Sequence, residues 1–355
     1  MGLKIPITKT AKPGTLPADD ALGFGQIFTD HMFIMDYTEG QGWYDPRIVP
    51  YGPFTLDPAT IMLHYGQATF EGLKAFHAGD RVVLFRPRAN IERMNRSNDR
   101  VCIPRLDLDD TLQAIETLVG LESRWVPKTE GTALYVRPTI IATDPFLGVK
   151  VADTYIFYII LSPVGAYYKE GFNPVKILVE DEFIRAAEGG LGEAKTPANY
   201  AASLLSAEKA KKKGFTQVLW LDGVERRWIE EVGTMNIFFL IDDEVITSPL
   251  TGTILPGVTR DSVLTLCSDW GMKVSERKLA IEDVMEAADK GSLQECFGTG
   301  TAAVISPVGS LTYQDKTVTI AGEKVGPLAK KLYDTITGIQ YGKLDDPHGW
   351  VVVVE

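Results

Sequence analysis

The sequence predicts a mixed α/β (α+β) protein of two domains, and three observations carry that prediction. A chain of 355 residues, 45% hydrophobic and 23% charged, is long enough to enclose more than one core. Strongly apolar runs with strand character, Ala133 to Ala142 and Thr154 to Pro163 among them, alternate with stretches of helical periodicity. Between residues 164 and 174 the pattern breaks: Val164-Gly165-Ala166-Tyr167-Tyr168-Lys169-Glu170-Gly171-Phe172-Asn173-Pro174 holds two glycines, a proline and aromatics. That segment is the expected connection between an N-terminal domain, residues 1–163, and a C-terminal domain, residues 175–355.

In chain order, residues 1–20 are rich in Pro, Thr and Lys and read as a loosely attached arm, with order beginning near Phe24. Arg81 to Arg86 is a strand; Pro87 then opens a helix on which Ile91 and Met94 share a face and Arg93 lies at the flank. A second helix covers Asp110 to Leu121, and the two apolar runs named above form central strands of the first domain. Beyond the connection, Val175 to Val179 is a strand and Ala198 to Lys213 a helix whose lysines 209, 211, 212 and 213 mark a solvated end. Gln217 to Leu221 and Glu225 to Glu230 flank Asp222-Gly223, a dipeptide suited to a tight hairpin. The hairpin delivers Glu230 and Glu231 to a strand end, and Asn236 to Ile241 is the next strand. A helix over Asp261 to Ser268 and a strand over Leu293 to Phe297 complete the set; no internal repeat or low-complexity segment interrupts it.

The net charge of −11 argues against a polyanionic partner such as nucleic acid or an anionic membrane and favours small-molecule chemistry. Cys102, Cys267 and Cys296 are few, odd in number and far apart, which suggests neither a disulfide framework nor a metal cluster and fits a reducing cytoplasm. The start MGLKIPITKT lacks an apolar signal core, and Pro6 stands where a myristoylation signal would want Ser or Thr. No apolar run approaches the length of a membrane span.

Three features carry chemistry. Gly189 to Tyr200 places Lys195 in a glycine-rich loop whose flexibility would let the amine reach a buried electrophile, so Lys195 is the candidate Schiff-base nucleophile. Glu231, wedged between apolar strands, would be partly buried and so needs a cationic or protonated partner; its alternative is a structural ion pair. Leu255-Pro256-Gly257-Val258-Thr259-Arg260 before a helix and Gly298-Thr299-Gly300-Thr301-Ala302-Ala303 after a strand both suit an anion, through backbone N–H groups and threonine hydroxyls. There is no Gly-Lys-Ser or Gly-Lys-Thr of a Walker loop, and no GxGxxG follows the first strand.

Taken in order, His64-Tyr65, Phe70-Glu71-Gly72-Leu73-Lys74-Ala75-Phe76, Glu92-Arg93-Met94, Tyr135-Val136-Arg137-Pro138, Lys195 to Tyr200 and Glu231-Val232-Gly233-Thr234-Met235-Asn236 resemble the branched-chain-amino-acid aminotransferases, class IV (fold type IV) pyridoxal-phosphate enzymes. The resemblance runs from Phe24 to the C-terminal helix. It implies a smaller N-terminal α/β domain, a larger C-terminal pseudo-barrel carrying the lysine, pyridoxal 5′-phosphate at the domain interface, and a homodimer. It further implies that Lys195 holds the cofactor covalently, that Glu231 pairs with the pyridine nitrogen and Tyr200 with the 3-oxygen, and that Arg93, the amides of Val258 and Thr259 and Thr301 hold the phosphate. For the substrate it implies a wall of Phe24, Tyr65, Phe70, Tyr135, Thr234 and Ala302, closed by Leu147 and Val149 of a neighbouring subunit. Burying one branched aliphatic side chain there is worth about 1.5–3 kcal/mol. Arg137, with the hydroxyls of Tyr65 and Tyr135, is the means of tolerating the second carboxylate of glutamate, and Tyr168 either covers the substrate or belongs to a passive linker.

The implied reaction is a ping-pong exchange of the amino group between L-leucine, L-isoleucine or L-valine and 2-oxoglutarate. A D-amino-acid aminotransferase or an aminodeoxychorismate lyase would share Lys195 and Glu231, and a non-catalytic phosphate-ligand binder would share the anion cradle. Two departures stand out. Where some relatives carry a Cys-x-x-Cys pair this chain has Ala303 and Ser306, and the lysine loop continues Thr196-Pro197-Ala198, with Pro197 placed to stiffen it or to start the helix early.

Overall fold

The structure, a computed structural model, describes residues 2–165 and 172–354. Tyr168 and most of the expected connection lie outside the described residues. The chain folds as two compact units. The first takes in the described residues up to 165 together with Ala194–Pro197 and the chain from Gly338; the second takes in those from 172 to 193 and Ala198–Thr337. Lys195 and the C-terminal segment therefore fall with the first unit, where the sequence pattern had suggested the second.

In the first unit, strands β1 (His31–Thr38), β2 (Gly42–Pro50), β3 (Ala68–Phe70), β4 (Leu73–Ala78), β5 (Arg81–Phe85), β6 (Ala133–Ala142) and β7 (Thr154–Val164) join the C-terminal strand Val351–Val354 in one sheet. Its order is C-terminal strand, β5, β4, β6, β7, β1, β2, with β3 beside β6. The two runs expected as central strands are thus direct neighbours in the sheet. Helices α1 (Ile61–Tyr65), α2 (Pro87–Arg100) and α3 (Leu108–Leu121) belong to this unit. Pro87 occupies the first position of α2, where its missing N–H costs nothing. Asp107 caps α3, its carboxylate accepting from the N–H groups of Asp109 at 2.9 Å and Asp110 at 3.0 Å.

Ile91 and Met94 of α2 and Ile115, Leu118 and Val119 of α3 share a core with Leu73, Ala75, Leu84, Leu134 and Val136. Strand side chains alternate in direction, so Lys74, Tyr135 and Arg137 lie on the opposite face of the sheet. The N-terminal arm is not loose. Leu3 exchanges two 2.8 Å hydrogen bonds with the Gln113 side chain, Ile48 bonds Pro6 and Thr8 at 2.9 Å, and Leu3 and Ile5 pack on the core. Composition misreads this stretch because its attachment runs largely through backbone groups.

In the second unit, β8 (Val175–Glu180), β9 (Gln217–Leu221), β10 (Ile229–Val232), β11 (Met235–Ile241), β12 (Glu244–Thr247), β13 (Lys273–Glu276), β14 (Leu293–Gly300), β15 (Val304–Tyr313) and β16 (Lys316–Thr319) form the second sheet. Its order is β10, β9, β8, β15, β14, β11, β12, β13, and β10 also pairs with β11. That extra pairing closes a ring through β10, β9, β8, β15, β14 and β11, the expected pseudo-barrel, around Val175, Ile177, Leu219, Ile237 and Phe239. Helices α4 (Pro197–Lys212), α5 (Val258–Asp269), α6 (Ile281–Lys290) and α7 (Pro327–Gln340) complete the chain.

Pro197 is the first residue of α4, so it does start that helix. The tight Asp222-Gly223 hairpin does not form. Instead residues 222–228 make a longer connection, because the Asp222 carboxylate accepts from the N–H groups of Val224, Glu225, Arg227 and Trp228 at 2.7–3.0 Å. Among the described residues no helix is long and apolar enough to cross a membrane.

Candidate active site

In the first unit the lysine segment is clamped rather than flexible. Lys195 donates its N–H to Ser97 Oγ at 2.9 Å, and its carbonyl accepts from the N–H of Phe70 at 3.1 Å. Ser97 lies one turn after Arg93 on α2 and donates to the Arg93 carbonyl at 3.0 Å, so one helix positions both residues. The amine reaches the Phe70 ring, with Nζ 5.1 Å from its centroid. Gly192, earlier in the loop, serves close packing: a Cβ there would collide with the backbone of Thr253.

Arg93 is buried and forked onto Glu71, Nε to Oε1 at 2.7 Å and Nη2 to Oε2 at 2.8 Å. Glu71 is itself 1% exposed, and this forked pairing fixes the plane of the guanidinium. The motif from Phe70 to Phe76 contains Glu71, but nothing local in it marks an ion pair with Arg93. Its role depends on α2 crossing beneath β3, which no local spacing reports.

Arg137, Tyr135, Phe70 and Phe24 form one cluster. Arg137 Nη2 donates to the Tyr135 hydroxyl at 3.1 Å and its guanidinium lies 4.8 Å from the Phe70 ring, while Phe24 meets Tyr135 edge-on at 5.1 Å. Gly72 admits the Tyr135 hydroxyl, which any Cβ there would strike. Tyr65 does not share these contacts. Its hydroxyl donates to the carbonyl of Leu147, and Tyr65, Leu147 and Val149 are 46%, 65% and 83% exposed. Tyr65 thus meets Leu147 within the same chain.

Lys74, directly across from Tyr135 in the β4–β6 pairing, is a further cation on this face. Burial pushes its amine down to about 8 from 10.5. Below pH 8 the amine is charged both folded and unfolded, and burial opposes that charge in the folded state. Between pH 8 and 10.5 the unfolded chain binds more protons, so stability rises with pH, by a total on the order of 3 kcal/mol. Lys74→Met should accordingly raise the unfolding free energy at pH 7 and flatten its increase toward pH 10. Urea unfolding at both pH values checks this; a variant less stable at pH 7 would contradict it.

In the second unit Glu231 is 3% exposed, accepts two hydrogen bonds at one oxygen and forms an ion pair at the other. Oε1 accepts from the N–H of Leu255 at 2.9 Å and from Asn236 Nδ2 at 3.2 Å, and Oε2 lies 3.2 Å from Arg185 Nε. The pairing of β10 with β9 shifts register between Ile229 and Val232, so Glu230 and Glu231 occupy a bulge, a device that re-aims side chains beside functional sites. Arg185 is the partner that sequence reasoning required but did not find, since a lone arginine in a loop has no spacing to betray it.

Leu255 leads directly into α5, which begins at Val258, earlier than the helical pattern from Asp261 suggested. Its N-cap, Gly257, provides no side-chain cap, leaving the end of Val258 and Thr259 suited to an anion. Across the β11–β14 pairing, Asn236 faces Thr299, a buried residue whose Oγ1 has no hydrogen-bond partner; Thr301 and Ala302 follow in the turn after β14. Thr234 is exposed at the tip of the β10–β11 turn, and Tyr200 lies in the first turn of α4, beside Asn199, whose Nδ2 donates to Leu191 at 2.7 Å.

Each unit carries groups of the kind that pyridoxal phosphate takes: in the first, an amine beside an aromatic ring and a guanidinium oriented by a carboxylate; in the second, a helix N-terminus with glycine at its cap, an orphaned buried hydroxyl and a rigidly held carboxylate. A family model described as amino-transferase class IV matches residues 68–311, which contain Glu71, Arg93, Lys195, Glu231 and Thr301. The chain is 56% identical over 353 residues to branched-chain-amino-acid aminotransferase 2 of Bacillus subtilis (strain 168), covering 99% of this chain and 97% of that protein. Its fold resembles the crystal structure of the Escherichia coli branched-chain amino acid aminotransferase, with a TM-score of 0.77 at 27% identity over 91% of this chain and 99% of the other. It also resembles that of a branched-chain amino acid aminotransferase from Thermobaculum terrenum in its PLP form, with a TM-score of 0.74 at 23% identity over 91% of this chain and 98% of the other. The chain belongs to the class IV aminotransferase family.

Proposed function

We infer that the protein is a branched-chain-amino-acid aminotransferase that uses pyridoxal 5′-phosphate to exchange the amino group between L-leucine, L-isoleucine or L-valine and 2-oxoglutarate. The observation that carries this reading is the 56% identity over nearly the whole chain to a relative of that name. When bound, the cofactor supplies an aldehyde that condenses with amines and a ring that accepts the electrons released at the substrate α-carbon.

The chain's residues do the rest. Lys195 would hold the cofactor through its amine and serve as the base that moves the α-proton. Glu231 would keep the pyridine nitrogen protonated, and Tyr200 would bond the 3-oxygen. Arg93, the amides of Val258 and Thr259 and the hydroxyl of Thr301 would hold the phosphate. Phe24, Phe70, Tyr135, Thr234 and Ala302 exclude water from the aliphatic side chain. We assign the exposed surface of Tyr65, Leu147 and Val149 to closure of a partner's pocket in a homodimer, and the site of action to the cytoplasm. Sedimentation of the purified protein tests the dimer, and a monomer with full activity would overturn it.

Arg137 selects the second carboxylate of glutamate and 2-oxoglutarate. Its Nε is buried without a hydrogen-bond partner, and its fork already leans on the Tyr135 hydroxyl. Arg137→Leu should lower kcat/KM for 2-oxoglutarate roughly 30- to 160-fold, the roughly 2–3 kcal/mol of a charge-assisted bond, while single-turnover reaction with leucine changes less than about threefold. Equal losses on both half-reactions would contradict the assignment. Steady-state rates with L-leucine against D-alanine test the function as a whole, since a D-amino-acid aminotransferase would prefer the latter.

A further inference from the structure

The second unit carries a cleft of about 250 Å³, bordered by the 222–228 connection and the loop after β12. Glu188, Asp222 and Glu225 line it with one lysine, Lys278. Asp222 is committed to four backbone N–H groups. Glu225 Oε1 accepts from Trp228 Nε1 at 2.9 Å, fixing the indole in the wall.

Glu230 also lines the cleft, 6% exposed, and its Oε2 is buried with no hydrogen-bond partner. A carboxylate oxygen so placed calls for a donor. Burial pushes the Glu230 carboxyl above its ordinary value, although Thr253 and Arg185 act the other way. The indole already attracts the protein's own cations, with Arg227 at 5.1 Å and Lys278 Nζ at 5.6 Å from its ring. An aromatic wall, an acidic rim and a carboxylate with one unpaired oxygen together recognise a positive charge on an apolar body.

We propose that this cleft binds a small organic cation, an ammonium or guanidinium group on a short apolar stem, and that its occupancy is felt at Glu231. The space holds roughly eight waters at about 30 Å³ each, which matches a ligand of similar non-hydrogen atom count. Arg185 provides the link. Its Nη2 donates to the carbonyl of Thr253, which lines the cleft, and to that of Gly192, while its Nε lies 3.2 Å from Glu231 Oε2. Arg185 therefore divides its charge between the adjacent carboxylates of Glu230 and Glu231, and a cation bound at the first releases more of it to the second. The link rests on the reading of Glu231 given above; the binding does not.

Calorimetric titration of the cofactor-loaded enzyme with n-butylguanidinium, which has no primary amine to react with the cofactor, tests the site, with n-pentanol as the neutral control. One saturable site per chain is expected for the cation and none for the alcohol. Trp228→Ala, Glu230→Gln and the exposed-rim variant Glu225→Lys should each weaken binding at least about tenfold, and the last leaves the core untouched. The cation should also change kcat/KM for leucine by about threefold or more in the unaltered enzyme and not in Trp228→Ala. No saturable binding below about 10 mM, or equal binding by the unaltered enzyme and all three variants, overturns the site. Saturable binding that leaves leucine kinetics unchanged overturns the link. Undiminished turnover in Glu231→Gln would instead remove the reading of Glu231 and with it the link, leaving the binding result to stand by itself.

Discussion

Lys195→Ala should abolish turnover, a loss of roughly 10⁴-fold or more, and remove the visible absorbance of the lysine-bound cofactor. The expected size follows from the two tasks assigned to one amine: covalent attachment and movement of the α-proton. Both depend on the Nζ nitrogen, so no partial function survives its removal. The fold should survive. The two hydrogen bonds that clamp this segment, to Ser97 Oγ and from the Phe70 N–H, involve the lysine backbone and are equally available to alanine. Lys195→Arg sharpens the result, because a guanidinium keeps the charge beside the Phe70 ring yet neither condenses with an aldehyde nor gives up its proton near neutral pH. Absorbance spectra and steady-state rates with L-leucine and 2-oxoglutarate check both variants. An undiminished visible band in Lys195→Ala would refute the assignment.

How far such a site can be read in advance depends on whether its parts are local in sequence. The apolar runs that became β6, β7, β8 and β11 declare themselves by their hydrophobicity, and β6 and β11 are buried almost throughout. The strand Val351–Val354 is as apolar, yet pairing it with β5 joins the two ends of the first unit, which no local pattern encodes. Asp222-Gly223 misleads for a chemical reason: the dipeptide suits a two-residue turn, but the aspartate carboxylate gathers four backbone N–H groups and organises a longer loop. Lys195 and Glu231 were legible because each sits in a motif. Glu71 and Arg185, the charges that hold Arg93 and Glu231 in place, were not, since an ion pair between distant segments exists only once the chain has folded. Tyr65 shows the same limit from the outside, because its motif says nothing of exposure.

Glu231 carries two loads at once, and comparing Glu231→Ala with Glu231→Gln should separate them. Alanine removes the carboxylate that Arg185, 9% exposed, meets directly, leaving it only the charge of Glu230, and leaves the Leu255 N–H without its acceptor. Breaking a buried ion pair from one side costs about 3–5 kcal/mol, so Glu231→Ala should unfold at clearly lower urea concentration. Glutamine keeps an acceptor for the Leu255 N–H and removes only the charge, so the stability loss should be about half or less. Activity should not follow stability. The pyridine nitrogen needs a negative partner to remain protonated, which glutamine provides no better than alanine, so both variants should retain cofactor yet lose roughly 10²- to 10³-fold in turnover. Rates measured with L-leucine, set beside urea midpoints for the same preparations, decide the matter. If Glu231→Gln turned over near the normal rate, the carboxylate would be a structural counter-ion for Arg185; if both variants lost rate alike while differing in stability, its charge serves the chemistry and its shape serves the fold.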